Sequence, residues 1–467
     1  MSLNFDTKKW AQENFGECDL GDARRTVRLV AMAEKTMNKP SASLPNQMEE
    51  LADTKAAYRL FDSEHATFRA IVEPHWKKTR QAANGLTLVI CDTTEFDFGI
   101  HREIEGLGPT GNGYGRGFLL HNAIMVNPKN ESILGVAGQT IHYRKHKKKT
   151  KKKETQTDAF KRPRESEVWG TVIDDIGKPK DDTKYVCVCD RGADNFEVLC
   201  HLEQQESGWL IRVKSKNRKI LTSNGKSKTV GQYLSTLPVL GSYELELRSS
   251  DKEESRTATL EVLSGRISVP IPHHKSPYVK ALNPDPIETN ILWVREVGVP
   301  KGVNPIEWIF YTSEPVDTFA KAWKVIEYYE SRWLIEEYHK ALKSGCRVKE
   351  RQLKTNLRLE AMLGLNSVVA VALLQMKSLA RATPDRPASS VIPKLWLAML
   401  KAVRRNLKRV FDMTIRDFYR ELAKLGGFFG RKSDGEPGWI TIWRGWEKLN
   451  ELVRGAQIAL EIGLLKE

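Results

Sequence analysis

The stretch Leu86-Thr87-Leu88-Val89-Ile90-Cys91-Asp92-Thr93-Thr94 is where the chain changes its period. From residue 1 to about 70 the pattern is helical, with a second helix from about Met48 through Phe61. Leu86 to Cys91 is instead a near-continuous apolar run of strand length. Such a run reads as a strand buried on both faces, and it ends on Asp92.

Working outward, Phe118 to Val126 and Ile133 to Tyr143 read as two further strands, antiparallel neighbours of the first. The loop between them and the first strand, Gly106 to Gly117, is half glycine. It has no Lys-Ser/Thr pair, so it is not read as a nucleotide loop. A helix is expected from Glu165 to Ile176. Lys184 to Cys189 is another buried strand and ends in Asp190-Arg191-Gly192-Ala193-Asp194. A helix to about Gln205 and a strand at Trp209 to Lys214 then imply a parallel crossover. Residues from about 219 to 290 alternate in short segments and predict a small inserted β subdomain. The main sheet resumes at Ile291 to Val294 and Glu307 to Tyr311, the latter carrying Trp308. Three meandering strands, a helix, a strand and further α/β elements give the order of a ribonuclease-H-like fold. From about Asn356 the chain is helical again, with a loop at Thr383 to Ala388.

Tyr329 to Lys343 contains no Gly or Pro and reads as one helix. At 100° per residue from Tyr329, Arg332 falls near about 300°, Glu336 near about 340° and Lys343 near about 320°. Glu337 and Glu330 fall near about 80° and 100°, on another face. Glu336 is therefore the only carboxylate on a stripe shared with a guanidinium and an ammonium. The two readings are a solvated charged face and a site for metal and phosphate.

A net charge of +15 points to a polyanionic partner, nucleic acid before acidic membrane. Asp22 caps a helix that carries Arg24, Arg25 and Arg28, with Arg24 and Arg28 one turn apart on one face. That pattern suits a phosphate backbone, and it equally suits a solvated face. Arg144 to Lys153 holds eight Lys or Arg in ten positions and is expected to be a flexible loop with auxiliary DNA contact. The six cysteines have no metal-finger spacing and read as reduced core thiols. His273-His274 reads as a solvated pair. Trp439, Trp443 and Trp446 recur at helical spacing, as either a core stripe or a subunit interface. No secretory signal is read, and the most apolar run, Val368 to Leu374, is shorter than a membrane span; a soluble cytoplasmic, nucleoid-associated protein is expected.

Asp92, Asp190 and Glu336 thus occupy distinguished places. In a ribonuclease-H-like fold the first and fourth strands are neighbours, so carboxylates at their ends can share divalent ions. Two such ions activate a nucleophile and stabilise a leaving oxygen in phosphodiester cleavage. Hard oxygen ligands suit Mg²⁺, with Mn²⁺ as substitute.

With these residues in place, the chain resembles the bacterial cut-and-paste DDE transposases, most closely those of the Tn5 type in the IS4 superfamily. The likeness lies in Leu20 to Thr26, Asp92-Thr93-Thr94, Cys189-Asp190-Arg191, Thr312 to Val316, Tyr329 to Lys343, Leu425 to Phe428 and Trp439 to Trp446. Its most specific element is Tyr-x2-Arg-x3-Glu-x6-Lys, met by Tyr329, Arg332, Glu336 and Lys343. Gly192 stands where the relative has Glu.

The resemblance implies that Asp92, Asp190 and Glu336 are the catalytic metal ligands. It implies that Tyr329, Arg332 and Lys343 hold the cleaved strand, that Trp308 stacks on a flipped base and that Arg212 lies near the bent end. It also implies N-terminal residues that read transposon ends, a homodimer paired through C-terminal helices, and four steps: 3′ nicking, hairpin formation, hairpin opening and strand transfer to target DNA. The expected division is a DNA-end-binding domain at 1–70, a catalytic domain at 71–355 and a C-terminal helical domain at 356–467. Two alternatives stand beside it: a non-catalytic transposition inhibitor, and a nuclease that cuts without joining.

Overall fold

The computed structural model describes residues 6–111, 113–145, 164–247, 255–404, 407, 412–431 and 434–464. Most of the lysine-rich segment lies outside these residues. Helices α1 (Thr7–Phe15), α2 (Ala23–Asn38), α3 (Leu44–Met48), α4 (Leu51–Phe61) and α5 (Phe68–Ala82) come first. The side chain of Asp22 caps α2 by accepting from the Arg24 amide at 2.8 Å. Thr67 does the same for α5 through the Ala70 amide at 3.2 Å.

The sheet follows: β1 (Gly85–Asp97), β2 (Gly108–Thr110), β3 (Gly115–Asn127), β4 (Ser132–His142), helix α6 (Glu167–Ile176), β5 (Thr183–Cys189), helix α7 (Phe196–Gln204) and β6 (Gly208–Arg212). The region after Val213 supplies β7 (Lys219–Thr222), β8 (Ser227–Thr229), α8 (Val230–Leu234), β9 (Val239–Leu247), β10 (Arg256–Val269), α9 (Pro277–Leu282) and β11 (Ile287–Val297), before β12 (Glu307–Thr312). Among the described residues these twelve strands form one sheet, in the order β2-β3-β1-β5-β6-β12-β11-β10-β7-β8, with β4 on β3 and β9 on β10. The inserted strands therefore continue the same sheet. β12 pairs with β6 on one edge and β11 on the other, so the hydrogen-bond ladder runs unbroken from the central strands into the insertion.

β1 pairs antiparallel with β3 and parallel with β5, as the apolar runs and the crossover require. Its alternate residues feed two cores. Leu88 and Ile90 face the side packed by the terminal helices; Val89 and Cys91 face α6 and α7. The strand does not stop at Asp92, as its sequence suggests. Its pairing with β5 ends at Cys91–Cys189, but its pairing with β3 continues to Asp97–Gly117, so β3 carries β1 onward past the polar residues.

The expected single helix over 329–343 is also divided. Helix α10 (Phe319–Glu330) stops before α11 (Trp333–Lys340), and a π-turn follows at Ala341–Gly345. At the break the bonds tighten to a three-residue reach: Arg332 N to Tyr329 O, Leu334 N to Ser331 O and Ile335 N to Arg332 O. At the far end Cys346 N reaches back five residues to Ala341 O. Burial of Leu334, Ile335, Tyr338 and Leu342 in the helical-side core sets this path in place of an ideal 3.6-residue repeat.

Helix α12 (Asn356–Ala382) then crosses that core against α5 and β4. Its segment Asn356–Ser378 is long and apolar enough to cross a membrane, yet 83% of the most apolar window is buried within the fold. Helices α13 (Lys394–Val403), α14 (Ile415–Leu425) and α15 (Trp439–Glu461) complete the chain. Trp439, Trp443 and Trp446 are all buried, and Trp446 stacks on Trp396 at 4.3 Å, which settles that stripe as core. All six cysteines are free and buried. His273 and His274 are exposed and lie in a loop.

Candidate active site

Cys91 stands directly beside Cys189 on parallel strands, so Asp92 and Asp190 are the next residues on neighbouring chains. Side chains alternate along a strand. Because Leu88 and Ile90 of β1 and Val186 and Val188 of β5 face the helical-side core, Asp92 and Asp190 share that face. On the same face α11 lies over β1 and β3 and carries Glu336.

Asp92 accepts the Thr93 amide at 2.7 Å, and Asp190 accepts the Gly192 amide at 2.8 Å. Arg332 joins the helix to the sheet. Its Nη1 donates to Asp92 Oδ2 at 3.2 Å and its Nη2 donates to Glu336 Oε1. Burial, followed by the charge of Asp190, pushes the Asp92 carboxyl up to about 6, against the opposing pull of the Thr93 amide and Arg332. Burial draws the Arg332 guanidinium downward, but the bond to Glu336 and the surrounding negative groups leave it raised on balance.

Among the described residues no three His, Cys, Asp or Glu side chains stand close enough together to hold one metal ion. The donor set nevertheless fits a hard dication. It consists of carboxylate oxygens alone, and crowding by Asp190 and Glu336 adds to the rise at Asp92, a repulsion that a cation relieves. Arg332 is the group that stands between Asp92 and Glu336.

The other expected residues divide into those gathered here and those elsewhere. Tyr329 packs on Phe310 at 4.5 Å and lies under Arg332, whose guanidinium is 5.8 Å from its ring. Arg212 faces Phe310 across β6 and β12 and donates to the Glu307 carbonyl at 3.3 Å. Trp308 lies on β12, partly buried on the helical side. The Lys343 ammonium sits 5.5 Å over the Phe96 ring, and burial, then Lys349, lowers its basicity. Glu337, which the helical wheel set aside, is buried and paired with Lys377 at 2.8 Å.

The N-terminal arginines lie on α2 and are engaged within the chain. Arg24 pairs with Asp22, Arg25 donates to the Leu20 carbonyl at 2.8 Å, and Arg28 pairs with Asp53 at 2.6 Å.

Two features escaped the sequence reading. Trp333, next to Arg332, is 56% exposed. An exposed aromatic face beside a guanidinium offers a π surface on which a base can stack. Its signal lay on the same helical wheel, about 40° from Tyr329. The second is a cavity of 640 Å³ beside the Asp190 turn, lined by Arg191, Lys214, Lys219, His273 and His274 among others. Its walls come from segments far apart in sequence, so no local pattern marks it.

Three family models match the chain in succession. Residues 7–66 match the transposase DNA-binding family, residues 154–372 the transposase DDE domain, and residues 368–463 the Tn5 transposase dimerisation domain. The second match contains Asp190 and Glu336 and begins after Asp92. A ribonuclease-H-like sheet with a carboxylate pair at its centre, flanked by DNA-binding and dimerisation segments, defines the protein as a DDE transposase, an enzyme acting on DNA. Within that class the chain belongs to the Tn5-like IS4 family. DNA binding, dimer formation and dependence on a divalent metal come with that membership.

Proposed function

We propose that Asp92, Asp190 and Glu336 are the metal-binding catalytic carboxylates of a cut-and-paste reaction at transposon ends, with Mg²⁺ as the ion and Mn²⁺ as its substitute. The observation that carries this reading is the register of β1 and β5, which sets Asp92 next to Asp190, with Arg332 tying Asp92 to Glu336. Bound divalent ions would supply an activated nucleophile and neutralise the charge on the leaving oxygen.

The chain's own residues position the DNA. Arg332 and Lys343 bind phosphates by charge, with Tyr329 beside them. Trp308 receives an unstacked base, and Arg212 holds the bent end. Arg24, Arg25 and Arg28 contact the end sequence, each giving up its internal partner for a phosphate. In the reaction, water frees a 3′ end; its hydroxyl attacks the opposite strand and closes a hairpin. Water reopens the hairpin, and the 3′ ends then attack target DNA. Two copies bridge the two ends in one synaptic homodimer in the cytoplasm, on the nucleoid. We assign residues 1–70 to end binding, 71–355 to catalysis and 356–467 to pairing of the subunits.

The test uses the full chain and its own inverted-repeat ends. Glu336→Ala is expected to bind the ends normally and to lose cleavage; normal cleavage sinks the site assignment. Joined products in a strand-transfer assay separate this reading from a nuclease that only cuts. Trp308→Ala is expected to nick normally and to close hairpins poorly, and an equal loss at both steps assigns Trp308 a structural role instead.

A further inference from the structure

Asp92, Asn122 and Gln139 form a row across three strands. Asp92 stands opposite Asn122 on β1 and β3, and Asn122 stands opposite Gln139 on β3 and β4. Residues directly opposite in antiparallel pairs project from the same face. The row therefore lies on the face that α11 covers, with Asp190 at its other end.

Asn122 is fully buried, and Gln139 is 3% exposed. Asn122 Nδ2 donates to His339 Nε2 on α11 at 3.0 Å, and Gln139 Nε2 donates to Asn122 Oδ1 at 2.6 Å. Gln139 Nε2 also reaches the Tyr338 hydroxyl at 3.2 Å and Ser367 Oγ on α12 at 3.3 Å. His339 is buried, and burial holds its imidazole down at about 3, so it is neutral and offers a lone pair at Nε2.

His339 follows Glu336 by three residues, a rise of about 4.5 Å along a helix. Neighbouring strands are about 4.8 Å apart. Arg332 and Glu336 meet Asp92 on β1, and His339, three residues further along α11, meets Asn122 on β3. On the α11 underside Leu334, Ile335 and the following Ala341 and Leu342 are apolar, the Tyr338 hydroxyl meets Gln139 and donates to the Ser367 carbonyl at 3.3 Å, and Glu337 pairs with Lys377 on α12. Apolar contact is non-directional and does not by itself fix the rotation of a helix. A hydrogen bond between two buried side chains does. A rotation by one residue, about 100°, would turn Glu336 away and bring Glu337 toward the sheet.

We propose that Asn122 and His339 are a positioning pair that indexes α11 on the sheet, so that Glu336 is the carboxylate presented toward Asp92 and Asp190. The proposal rests on the reading of those three carboxylates as the metal site.

The experiment titrates Mn²⁺ into the full-length protein without DNA and follows free ion by electron paramagnetic resonance, with a thermal melt of each variant. Asn122→Leu/His339→Leu replaces two polar partners by apolar ones, which can be nearly neutral for stability, and Gln139, which loses Asn122 Oδ1, keeps the Tyr338 hydroxyl and Ser367 Oγ as acceptors. It is expected to keep the wild-type melting temperature and to weaken Mn²⁺ binding by about tenfold or more, the usual effect of removing a partner behind a metal ligand. His339→Gln, which keeps an acceptor on a side chain of similar reach, is expected to restore the binding midpoint. A double variant that melts and binds Mn²⁺ as the wild type does overturns the proposal. So does a His339→Gln variant that melts normally and binds as weakly as the double variant. Glu336→Ala serves as control and is expected to abolish the same binding. If it binds Mn²⁺ normally, the site assignment fails, a result distinct from failure of the positioning pair.

Discussion

Arg332 Nη1 lies 3.2 Å from Asp92 Oδ2, while the other arm of the same guanidinium holds Glu336. A cation is thus already placed between two of the three proposed metal ligands. If those carboxylates hold the ion, metal and guanidinium compete for the same oxygens, and a DNA phosphate would compete with both carboxylates for the guanidinium.

Arg332→Gln is therefore expected to bind Mn²⁺ several-fold more tightly than the wild type in the absence of DNA. Arg332→Lys keeps the charge but loses the two-armed fork, and it is expected to fall between them. Lys343→Gln also removes a nearby positive charge, but Lys343 has no ion pair to Asp92 or Glu336 among the described residues. It separates occupancy of the site from simple repulsion. Equal tightening in Arg332→Gln and Lys343→Gln would show that charge alone matters, and no tightening in Arg332→Gln would remove the competition altogether.

The Asp92 carboxyl has a second measurable consequence. Its position near about 6 in the fold, against an ordinary 3.8, means that the native metal-free protein binds its proton more tightly than the unfolded chain does. Stability from this group is then lost as pH rises between those two values and is flat above them. Asp92→Asn removes the titration. The variant is expected to gain on the wild type between about pH 4 and 6, reaching about 2–3 kcal/mol at pH 7 in chelator. Urea melts at several pH values read this directly. A stability difference that does not grow with pH over that window contradicts the shift.

The sequence and the structure part company in instructive places. β1, β3, β4, β5 and the crossover to β6 were legible because strands buried on both faces must be nearly continuous apolar runs. Asp92 was legible as the residue that ends the apolar run, but not as a mid-strand residue. Whether a strand continues depends on its partner, and β3 supplies ten paired positions reaching Asp97. The helical wheel puts Glu336 and Glu337 on different faces, and in the structure they meet different partners, although the helix is broken at Arg332 and widened at Ala341–Gly345. Glu336 and Glu337 both lie within α11, where ideal spacing holds. The return of the main sheet at β11 and β12 was legible from their apolar runs, but not the strands they pair with, since pairing between β6 and β12 joins residues about a hundred positions apart. Nor was the Asn122–His339 contact, which spans 217 positions. Arg332 was legible as a neighbour of Glu336 on one stripe, but its carboxylate partner on β1 is a tertiary fact.

Where α14 meets α15, the two helices approach backbone to backbone. A Cβ built on Gly445 would lie 1.8 Å from the Leu422 carbonyl oxygen, and one on Gly426 would lie 1.9 Å from that of Thr441. Neither neighbour is a flexible side chain that can swing away. Gly445→Ala is expected to push the helices apart at a cost of about 1–3 kcal/mol, the usual range for overpacking. It lies within the matched dimerisation segment, so sedimentation of the DNA-bound complex should show weakened pairing together with a lower melting temperature. An unchanged melt would mean that the close approach relaxes without strain.

Glu337 offers the sharpest contrast with its neighbour. Its carboxylate is buried and receives Lys377 Nζ at 2.8 and 3.0 Å, tying α11 to α12. Side-chain exposure is 6% for Glu337 and 12% for Lys377, so neither charge has water to replace the other. Breaking such a pair strands an uncompensated charge and costs about 3–5 kcal/mol. Glu337→Gln still offers an acceptor to the ammonium but removes the charge, so the lower end of that range is expected. Glu336→Gln, at a side chain 49% exposed and paired with Arg332, is expected to change stability little while ending cleavage. Equilibrium denaturation of the two variants should therefore rank Glu337→Gln well below Glu336→Gln in stability, and DNA cleavage should rank them in the opposite order. A Glu337→Gln variant that is fully stable and inactive would move the catalytic carboxylate one position along the helix.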